Sequence, residues 1–294
     1  MKLRFLGTGT SHGVPVIGCD CKVCKSTDKR DKRFRSSSYI TTDDNKHILI
    51  DVGPEFRMQC LANDIKQVDA VLLTHSHADH LHGIDDLRIF SCDMFRVPTG
   101  APQKVIDQYY APPIPIYTNE ITVNDIHNRF GYIFQSVVEG GGHARLNPIA
   151  VKEQFKYGET TLTPIPMMHG HLETTGWLLS ETKADGEKKS IAYLTDCSYI
   201  SDESINLIKE NCGTLEHLII DGLRIRPHST HFSFLEALEA AGKIGGKHVW
   251  LIHMNHDSSH EEIIEYLQEH RNDFPGLKNA ESVLPAYDQL EIDC

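Results

Sequence analysis

A dense run of metal-ligand side chains follows one of the apolar segments of the sequence. It reads His75-Ser76-His77-Ala78-Asp79-His80, directly after the stretch DAVLLT. In an extended chain residues two apart face the same side, so His75 and His77 can reach one cation, and a turn brings Asp79 and His80 to a second position. Imidazole and carboxylate ligands at this density suit Zn, Mn or Fe, and two such cations ~3.5–4 Å apart can act on a hydrolytic water. The run therefore predicts a binuclear metal centre.

One loop cannot complete two metal sites, so we expect further ligands at the ends of other strands. His169 ends the apolar segment 162–168, Asp196 follows 191–195, and His253 follows 249–252. Any one of these alone is more often structural than ligating. Together with the first run they form a candidate set, in which His171 is the alternative to His169.

The order and spacing of this set resemble those of the metallo-β-lactamase superfamily, over the chain from Gly7 to nearly the C-terminus. The resemblance implies a bridging role for Asp196, and it favours His169 over His171 because Met-His-Gly is similar to the family sequence. It implies that Asp51 braces the metal loop without binding a metal, and that Asp79 takes part in catalysis as well as binding. The two implied ligand sets, besides the bridge, are His75, His77 and His169 for one metal, and Asp79, His80 and His253 for the other.

A second cluster, Cys19-Asp20-Cys21-Lys22-Val23-Cys24, has thiols spaced to converge on one ion. Three thiolates and a fourth ligand would form a tetrahedral structural zinc site. Within the superfamily, Cys-x-Cys-x-x-Cys after a GTGT segment is similar to the branch that includes the phosphoribosyl 1,2-cyclic phosphate phosphodiesterases. That resemblance implies that the fourth ligand is His256, three residues after His253.

The loop Arg226-Pro227-His228-Ser229-Thr230-His231 contains two more histidines. In the same branch a histidine a little over twenty residues before the last metal ligand faces the substrate, and His231 has that interval. The resemblance implies that His231 contacts the scissile phosphate and protonates or stabilises the leaving oxygen.

Short apolar segments and serine-capped helical patterns alternate through the chain and predict an α/β protein. We expect two sheets packed face to face with helices outside, which is the αβ/βα four-layer sandwich, with two mixed sheets, that the resemblance implies. We predict a single domain, 1–294, with an irregular proline- and glycine-rich excursion at about 96–142. The predicted strands are 2–6, 38–42, 46–51, 69–74, 161–168, 176–180, 190–195, 217–221 and 249–253, and the predicted helices are 79–90, 201–211, 233–244 and 259–271.

Composition limits the classes of partner. Across 294 residues the formal net charge is −12, with 29 basic and 41 acidic side chains, so we do not expect a nucleic-acid partner. The longest apolar runs are far shorter than a ~20-residue membrane span, and we expect no membrane contact. The N-terminus reaches Gly7 without an export signal, so we expect a reducing, cytoplasmic setting in which the cysteines are thiols or metal ligands.

With the predicted metal ligands, the resemblance implies a metal-dependent phosphodiesterase that attacks a small cyclic or nucleotide-like phosphodiester with metal-bound hydroxide. The expected cofactors are two catalytic divalent metals, with zinc and manganese both open, and one structural zinc. An endoribonuclease of the tRNA 3′-processing type is one alternative, and a non-hydrolytic protein similar to those of PQQ biosynthesis is another. Monomer and homodimer stay open, as does the choice among Arg57, Arg88, Arg224 and Arg226 for a second phosphate.

Overall fold

The computed structural model describes residues 1–91, 100, 102, 104, 112–135 and 143–294. In this part of the chain the strands form two sheets of seven. In chain order, and without regard to sheet, strands β1 to β7 are Lys2–Gly7, Ser37–Thr41, His47–Ile50, Ala70–Leu72, Ile114–Thr118, Leu146–Ala150 and Phe155–Tyr157. The other seven, β8 to β14, are Thr160–His169, Leu172–Thr182, Lys188–Leu194, Thr214–Asp221, His248–Ile252, Ser282–Pro285 and Glu291–Asp293.

Each sheet mixes parallel and antiparallel pairs. The first has the order β14-β1-β2-β3-β4-β5-β6 and the second the order β13-β12-β11-β10-β9-β8-β7. The helices of the described residues, α1 to α7, are Phe56–Ala62, Ala78–Leu81, Arg88–Ser91, Glu120–Arg129, Asp202–Asn211, Phe234–Ile244 and His260–His270. None of them is long and apolar enough to cross a membrane.

Three apolar layers hold these elements together. Between the sheets, Phe5 and Ile50 of the first pack in one cluster with Trp177 and Tyr193 of the second. A second cluster joins α5, α6 and α7 to the outer face of one sheet, and a third joins α1 and α4 to the outer face of the other. This helix–sheet–sheet–helix order confirms the predicted four-layer sandwich.

The predicted excursion at 96–142 is wrong for much of its described part. Residues 114–118 form β5, which pairs in parallel with β4 and β6, and residues 120–129 form α4. Pro115 discouraged a strand prediction because proline cannot donate to a ladder. The alternating burial of Ile114, Ile116 and Thr118 outweighs it, and Asn119 then caps α4 by accepting from the Thr122 backbone N–H.

The predicted helix 79–90 is also wrong as a continuous element. It is divided into α2, a 3-10 turn at Ile84–Leu87, and α3. At the break, Gly83 donates its N–H to the carbonyl of Val52, and a Cβ on Gly83 would lie 2.1 Å from the carbonyl oxygen of Gly53. The chain therefore bends where the segment after the metal-ligand run touches the segment after β3.

Candidate metal centre

The ligand run follows β4 and is held by hydrogen bonds to Asp51, the residue after β3. The Asp51 carboxylate accepts the backbone N–H of Thr74 at 2.8 Å and the Nδ1–H of His80 at 2.7 Å. The Thr74 hydroxyl also donates to Asp51, so its oxygen is free to accept the Nδ1–H of His75 at 3.0 Å. These bonds make Nε2 the nitrogen that each of the two rings, His75 and His80, can offer to a metal.

Three histidines from two sheets form the first set, which we call the three-histidine group: His75, His77 and His169. Their candidate ligand nitrogens all lie within 4.8 Å of one another. His169 donates its Nδ1–H to the carbonyl of Thr230 at 2.6 Å, which again turns Nε2 into an acceptor. His171 is exposed and lies outside this set, in agreement with the preference for His169.

Beside it lies the second set, which we call the mixed group: Asp79, His80, Asp196 and His253. The Nε2 of His80 is 3.2 Å from Oδ2 of Asp79 and 3.2 Å from Oδ1 of Asp196. The Nε2 of His253 is 3.3 Å from the same Asp196 oxygen. The other oxygen of Asp196, Oδ2, is 3.7 Å from Nε2 of His75. Asp196 thus presents one carboxylate oxygen to each group.

The backbone at this edge is strained where strands end. Asp51, Asp196 and His253 follow β3, β10 and β12 and have φ of +59°, +55° and +66°. Left-handed backbone is costly for residues other than glycine and is concentrated at functional sites. Three such residues at one edge indicate that the fold accepts a higher backbone conformational energy here in order to place these side chains.

Buried, unpartnered nitrogens provide the test of whether these residues fit a metal. Within the described residues, Nε2 of His75, His80 and His253 is buried without a hydrogen-bond partner. Such atoms are costly unless something binds them. Imidazoles with carboxylates suit divalent transition metals, so the donor set and its unpartnered nitrogens fit the implied cations.

The electrostatics favour the ligating forms of His75 and Asp196 but not of His80. Burial lowers the pKa of His80, but the carboxylates of Asp196 and Asp79 outweigh it and raise that pKa well above its ordinary value, so a metal bound there displaces a proton. Burial lowers the pKa of His75 well below its ordinary value, so the ring is neutral at pH 7. Burial raises the pKa of Asp196, but the neighbouring charges of His253 and His80 outweigh it and hold that pKa well below the usual range. Asp196 is therefore a carboxylate and His75 a neutral imidazole, the forms that bind metals.

His231 lies against both groups, and it forms a further set with Asp221 in which candidate ligand atoms lie within 4.8 Å of those of Asp196 and His253. Its ring centroid is 4.5 Å from those of His169 and His253. Its Nδ1–H donates to Oδ2 of Asp221 at 2.8 Å. Burial lowers the pKa of His231, but the Asp221 carboxylate outweighs it and raises the pKa to about 9. His231 is therefore oriented by a buried carboxylate at the edge of the metal centre.

The cysteine cluster also converges as the sequence predicts. The Sγ atoms of Cys19, Cys21 and Cys24 lie 3.4, 3.5 and 3.5 Å from Nδ1 of His256. Ligand atoms 2.0–2.3 Å from one tetrahedral ion are about 3.5 Å apart, so this cysteine group fits zinc. The backbone N–H of Cys24 donates to the Cys21 sulfur and lowers its pKa to about 6, which favours the thiolate. No disulfide forms among the described cysteines, and Cys92 lies outside the described residues.

Some functional residues were missed from the sequence. Asp221 ends the apolar strand β11 just as Asp196 follows β10, and this shared position was the signal that could have identified it. Three further residues support the ligand run: Ser76, Asp125 and Arg129. Asp125 and Arg129 had no sequence signal, because they lie in the predicted excursion, and without them Ser76 had no predicted partner.

Comparison with known proteins now places the chain. It belongs to the β-lactamase superfamily, whose domain model matches residues 46–254. Within that superfamily it belongs to the PhnP branch. A solved diphosphatase of the PhnP family is 35% identical, with a TM-score of 0.76, over 99% of this chain and 96% of the other. The family and this neighbour support a metal-dependent hydrolase.

More distant structures share the fold. Zinc-bound PqqB from Methylobacterium extorquens has a TM-score of 0.73 at 17% identity, over the whole of both chains. The short form of human tRNase Z has a TM-score of 0.63 at 17% identity, over 100% of this chain and 99% of the other. At these identities the likeness extends to the fold alone.

One curated relative has a different kind of name. The octanoyltransferase of Porphyromonas gingivalis is 35% identical over 282 residues, which is 95% of this chain but 51% of that protein. The present chain thus spans about half the length of this relative. The rest of that protein has no counterpart in the alignment, so its name does not transfer directly to this chain.

Proposed function

We propose that this chain is a metal-dependent phosphodiesterase that hydrolyses a small cyclic or nucleotide-like phosphodiester at a site holding two divalent cations. The observation that carries the proposal is Asp196, whose two carboxylate oxygens face different ligand groups, 3.2 Å from His80 and 3.7 Å from His75. The three-histidine group and the mixed group would hold the cations, as either zinc or manganese. When bound, the cations would supply Lewis acidity toward phosphate oxygens and toward a water.

His231 gives this site a proton-bearing group that is not a candidate ligand of the three-histidine group. Asp221 accepts its Nδ1–H, which leaves Nε2 as the atom available to a substrate. The rings of His169 and His253 pack against that of His231, each with its centroid 4.5 Å away. At this position Nε2 would contact the phosphate and donate a proton to the departing ester oxygen.

The chemistry of the chain favours a phosphodiester over the other candidates. The PhnP-family neighbour is named a diphosphatase, which supports a substrate with phosphate groups. A net charge of −12 disfavours a long RNA, and with it the tRNA-processing alternative. Acyl transfer, suggested by the name of the Porphyromonas gingivalis relative, would be served by a reactive thiol. Cys197, next to Asp196, is fully buried and its pKa is raised well above normal by burial, so it is unsuited to that role.

His231→Ala tests the reaction and the proton transfer together. The variant should keep its metals and its fold, while turnover of an alkyl or ribose phosphodiester falls ~10²–10⁴-fold. The loss should be much smaller for a nitrophenyl diester, whose leaving group departs without a proton. His171→Ala, which changes an exposed histidine outside both groups, is the matched control and should retain wild-type rates.

The outcomes separate the claims. Equal losses on both diesters would remove the proton-transfer role of His231, and unchanged rates would remove any role. Wild-type protein that carries its metals but prefers thioesters, lactams, phosphomonoesters or tRNA precursors to every small diester would refute the proposed substrate class.

A further inference from the structure

Helix α4 packs beside the ligand run and is attached near both of its ends. Before its N-terminus, the side-chain amide of Asn119 donates to Oγ1 of Thr175 at 3.3 Å, and the Thr175 backbone N–H donates to the carbonyl of Thr74 at 2.9 Å. At its C-terminus, Nη1 of Arg129 donates to the carbonyl of Ser76 at 2.5 Å. The helix is therefore connected to the residues on both sides of His75, to Thr74 through Thr175 and to Ser76 directly.

Ser76, Asp125 and Arg129 form a closed polar cluster at the second attachment. The Ser76 hydroxyl donates to the Asp125 carboxylate, and Nη2 of Arg129 is 3.2 Å from Oδ2 of Asp125. Ser76 is buried, with 3% of its surface exposed. Both its hydroxyl and its carbonyl are thus held by one face of α4, through residues one helical turn apart.

Ser76 is the single residue between the first two ligands of the three-histidine group. The ring centroids of His75 and His77 are 4.5 Å apart, so both rings lie on one side of the chain and α4 holds Ser76 from another. The mixed group has a different support, because Asp51 holds His80 directly. Asp51 also holds Thr74, whose hydroxyl accepts from His75, so it supports both groups. The cluster on α4 differs in that it holds the segment between His75 and His77.

We propose that the Ser76–Asp125–Arg129 cluster positions His75 and His77 and thereby sets the metal affinity of the three-histidine group, with little effect on the mixed group. This rests on the proposed function only for the assumption that both groups bind cations. Groups that orient metal ligands from behind commonly affect affinity ~10–100-fold. The three residues touch neither candidate cation position, so they are positioning residues.

The test measures metal occupancy at each position. Protein stripped by a chelator is crystallised, soaked at graded low zinc concentrations, and the anomalous signal at the zinc edge is read for the two positions separately. In Asp125→Ala and Ser76→Ala we expect half-occupancy of the three-histidine position to need ~10–100-fold more zinc, with the mixed position unchanged. Asp51→Asn should instead weaken both positions, because Asp51 holds His80 directly and His75 through Thr74.

Controls separate positioning from folding. Asn128→Ala changes an exposed residue of the same helix and should leave both affinities at the wild-type value. Arg129→Lys keeps a cation near Ser76 and should lose less affinity than Arg129→Ala. Circular dichroism and melting temperature establish whether each variant is folded, and Ser76→Ala, which keeps the carbonyl that Arg129 binds, remains informative if an α4 variant unfolds.

Wild-type affinity at the three-histidine position in folded Asp125→Ala and Ser76→Ala protein would overturn the proposal, as would equal losses at both positions. Failure of the proposed function looks different. Wild-type protein that binds both cations but cleaves no phosphodiester would refute that function while leaving the zinc measurement valid.

Discussion

At the scale of single residues, Asp196 does the most to define the centre. Its side chain is buried, its backbone is left-handed, and its two oxygens face different histidines. A carboxylate placed in this way can serve two cations, whereas the histidines that Asp79 approaches within the described residues, His80 and His253, both belong to the mixed group. The two acids should therefore differ in how much metal their loss removes.

Replacing Asp196 with Ala should abolish or scramble binding at both positions, because one carboxylate faces both. Asp79→Ala should empty the mixed position and leave the three-histidine group able to bind one cation. Elemental analysis of protein dialysed against trace zinc measures both outcomes. If Asp196→Ala retains the full wild-type metal content, Asp196 does not bridge.

The site was predictable from the sequence to the extent that side-chain type and strand ends determine it. His75, His77, Asp79 and His80 lie within six residues and can be recognised as a unit. His169 ends an apolar strand, and Asp196 and His253 follow two others. Asp221 was missed because a single carboxylate after a strand has many structural uses. Its function depends on His231 ten residues later, and only the turn between them brings the two side chains to 2.8 Å.

At the scale of elements, the break at Gly83 shows how contact between segments overrides helical periodicity. Apolar residues spaced three apart predict one helix over 79–90. The segment instead bends because Gly83 and Gly53 allow two backbone stretches to touch, with a Cβ on Gly53 falling 2.2 Å from the carbonyl oxygen of Asp79. Sequence periodicity contains no information on this distant contact, so the break could not be predicted.

Gly83→Ala should destabilise the protein although alanine favours helix. The added methyl would meet the Gly53 carbonyl and push away the segment that carries Asp79 and His80, at a cost of ~1–3 kcal/mol in the free energy of unfolding. Gly131→Ala is the control, because a Cβ there meets no atom within 4 Å and the backbone is not left-handed. Denaturant unfolding of both variants measures the difference, and equal stabilities would contradict the close-contact explanation.

Helix α7 contains a histidine whose burial should make stability depend on pH. Burial, assisted by the charges of Arg30 and Arg33, lowers the pKa of His260 to about 4 from 6.5, and Asp28 and Asp31 oppose this only partly. Between these values the unfolded chain binds more protons than the folded one, so stability falls as pH is lowered from about 6.5 to 4.

His260→Gln should reduce that loss, measured as the difference in unfolding free energy between variant and wild type at pH 7 and at pH 4.5. His270→Gln, at the more exposed end of the same helix, is the control and should keep the wild-type slope. A His260→Gln protein with an unchanged pH slope would show that His260 does not cause the dependence. Using the difference between proteins cancels the protonation of the candidate metal ligands.

At the scale of the whole molecule, the centre exists only where the two sheets meet. The ligand run follows β4 of the first sheet, while His169, Asp196 and His253 come from the second. The sheets are joined there by Trp177, whose indole N–H donates to the carbonyl of Leu73 at 3.2 Å, and by the bond from Thr175 to Thr74. The segment from His253 to His256 then links this edge to the cysteine group, whose other members belong to the N-terminal loop.

That linkage makes the cysteine group a brace for the loop rather than part of the reaction centre. Arg33, fully buried, donates to the carbonyls of Asn255 and Ser258 on either side of His256 and holds the segment independently of any zinc. His253 itself is followed by Met254, whose backbone N–H donates to the carbonyl of Thr8 at 3.0 Å. Loss of the structural ion should therefore weaken the whole fold without dismantling the catalytic groups.

Cys21→Ser tests this separation. The wild-type chain should carry about three ions, and the variant about two, because serine does not replace a thiolate ligand of zinc. Its melting temperature should fall, with ~1 kcal/mol corresponding to roughly 2–4 °C in a domain of 150–250 residues. The protein that remains folded should keep wild-type occupancy at the three-histidine and mixed positions. Cys60→Ser removes a thiol that is not part of the cysteine group and should keep all three ions. A Cys21→Ser protein with full metal content and an unchanged melting temperature would mean that the cysteine group binds no zinc. Loss of all three ions would mean that its zinc also holds His253 in place.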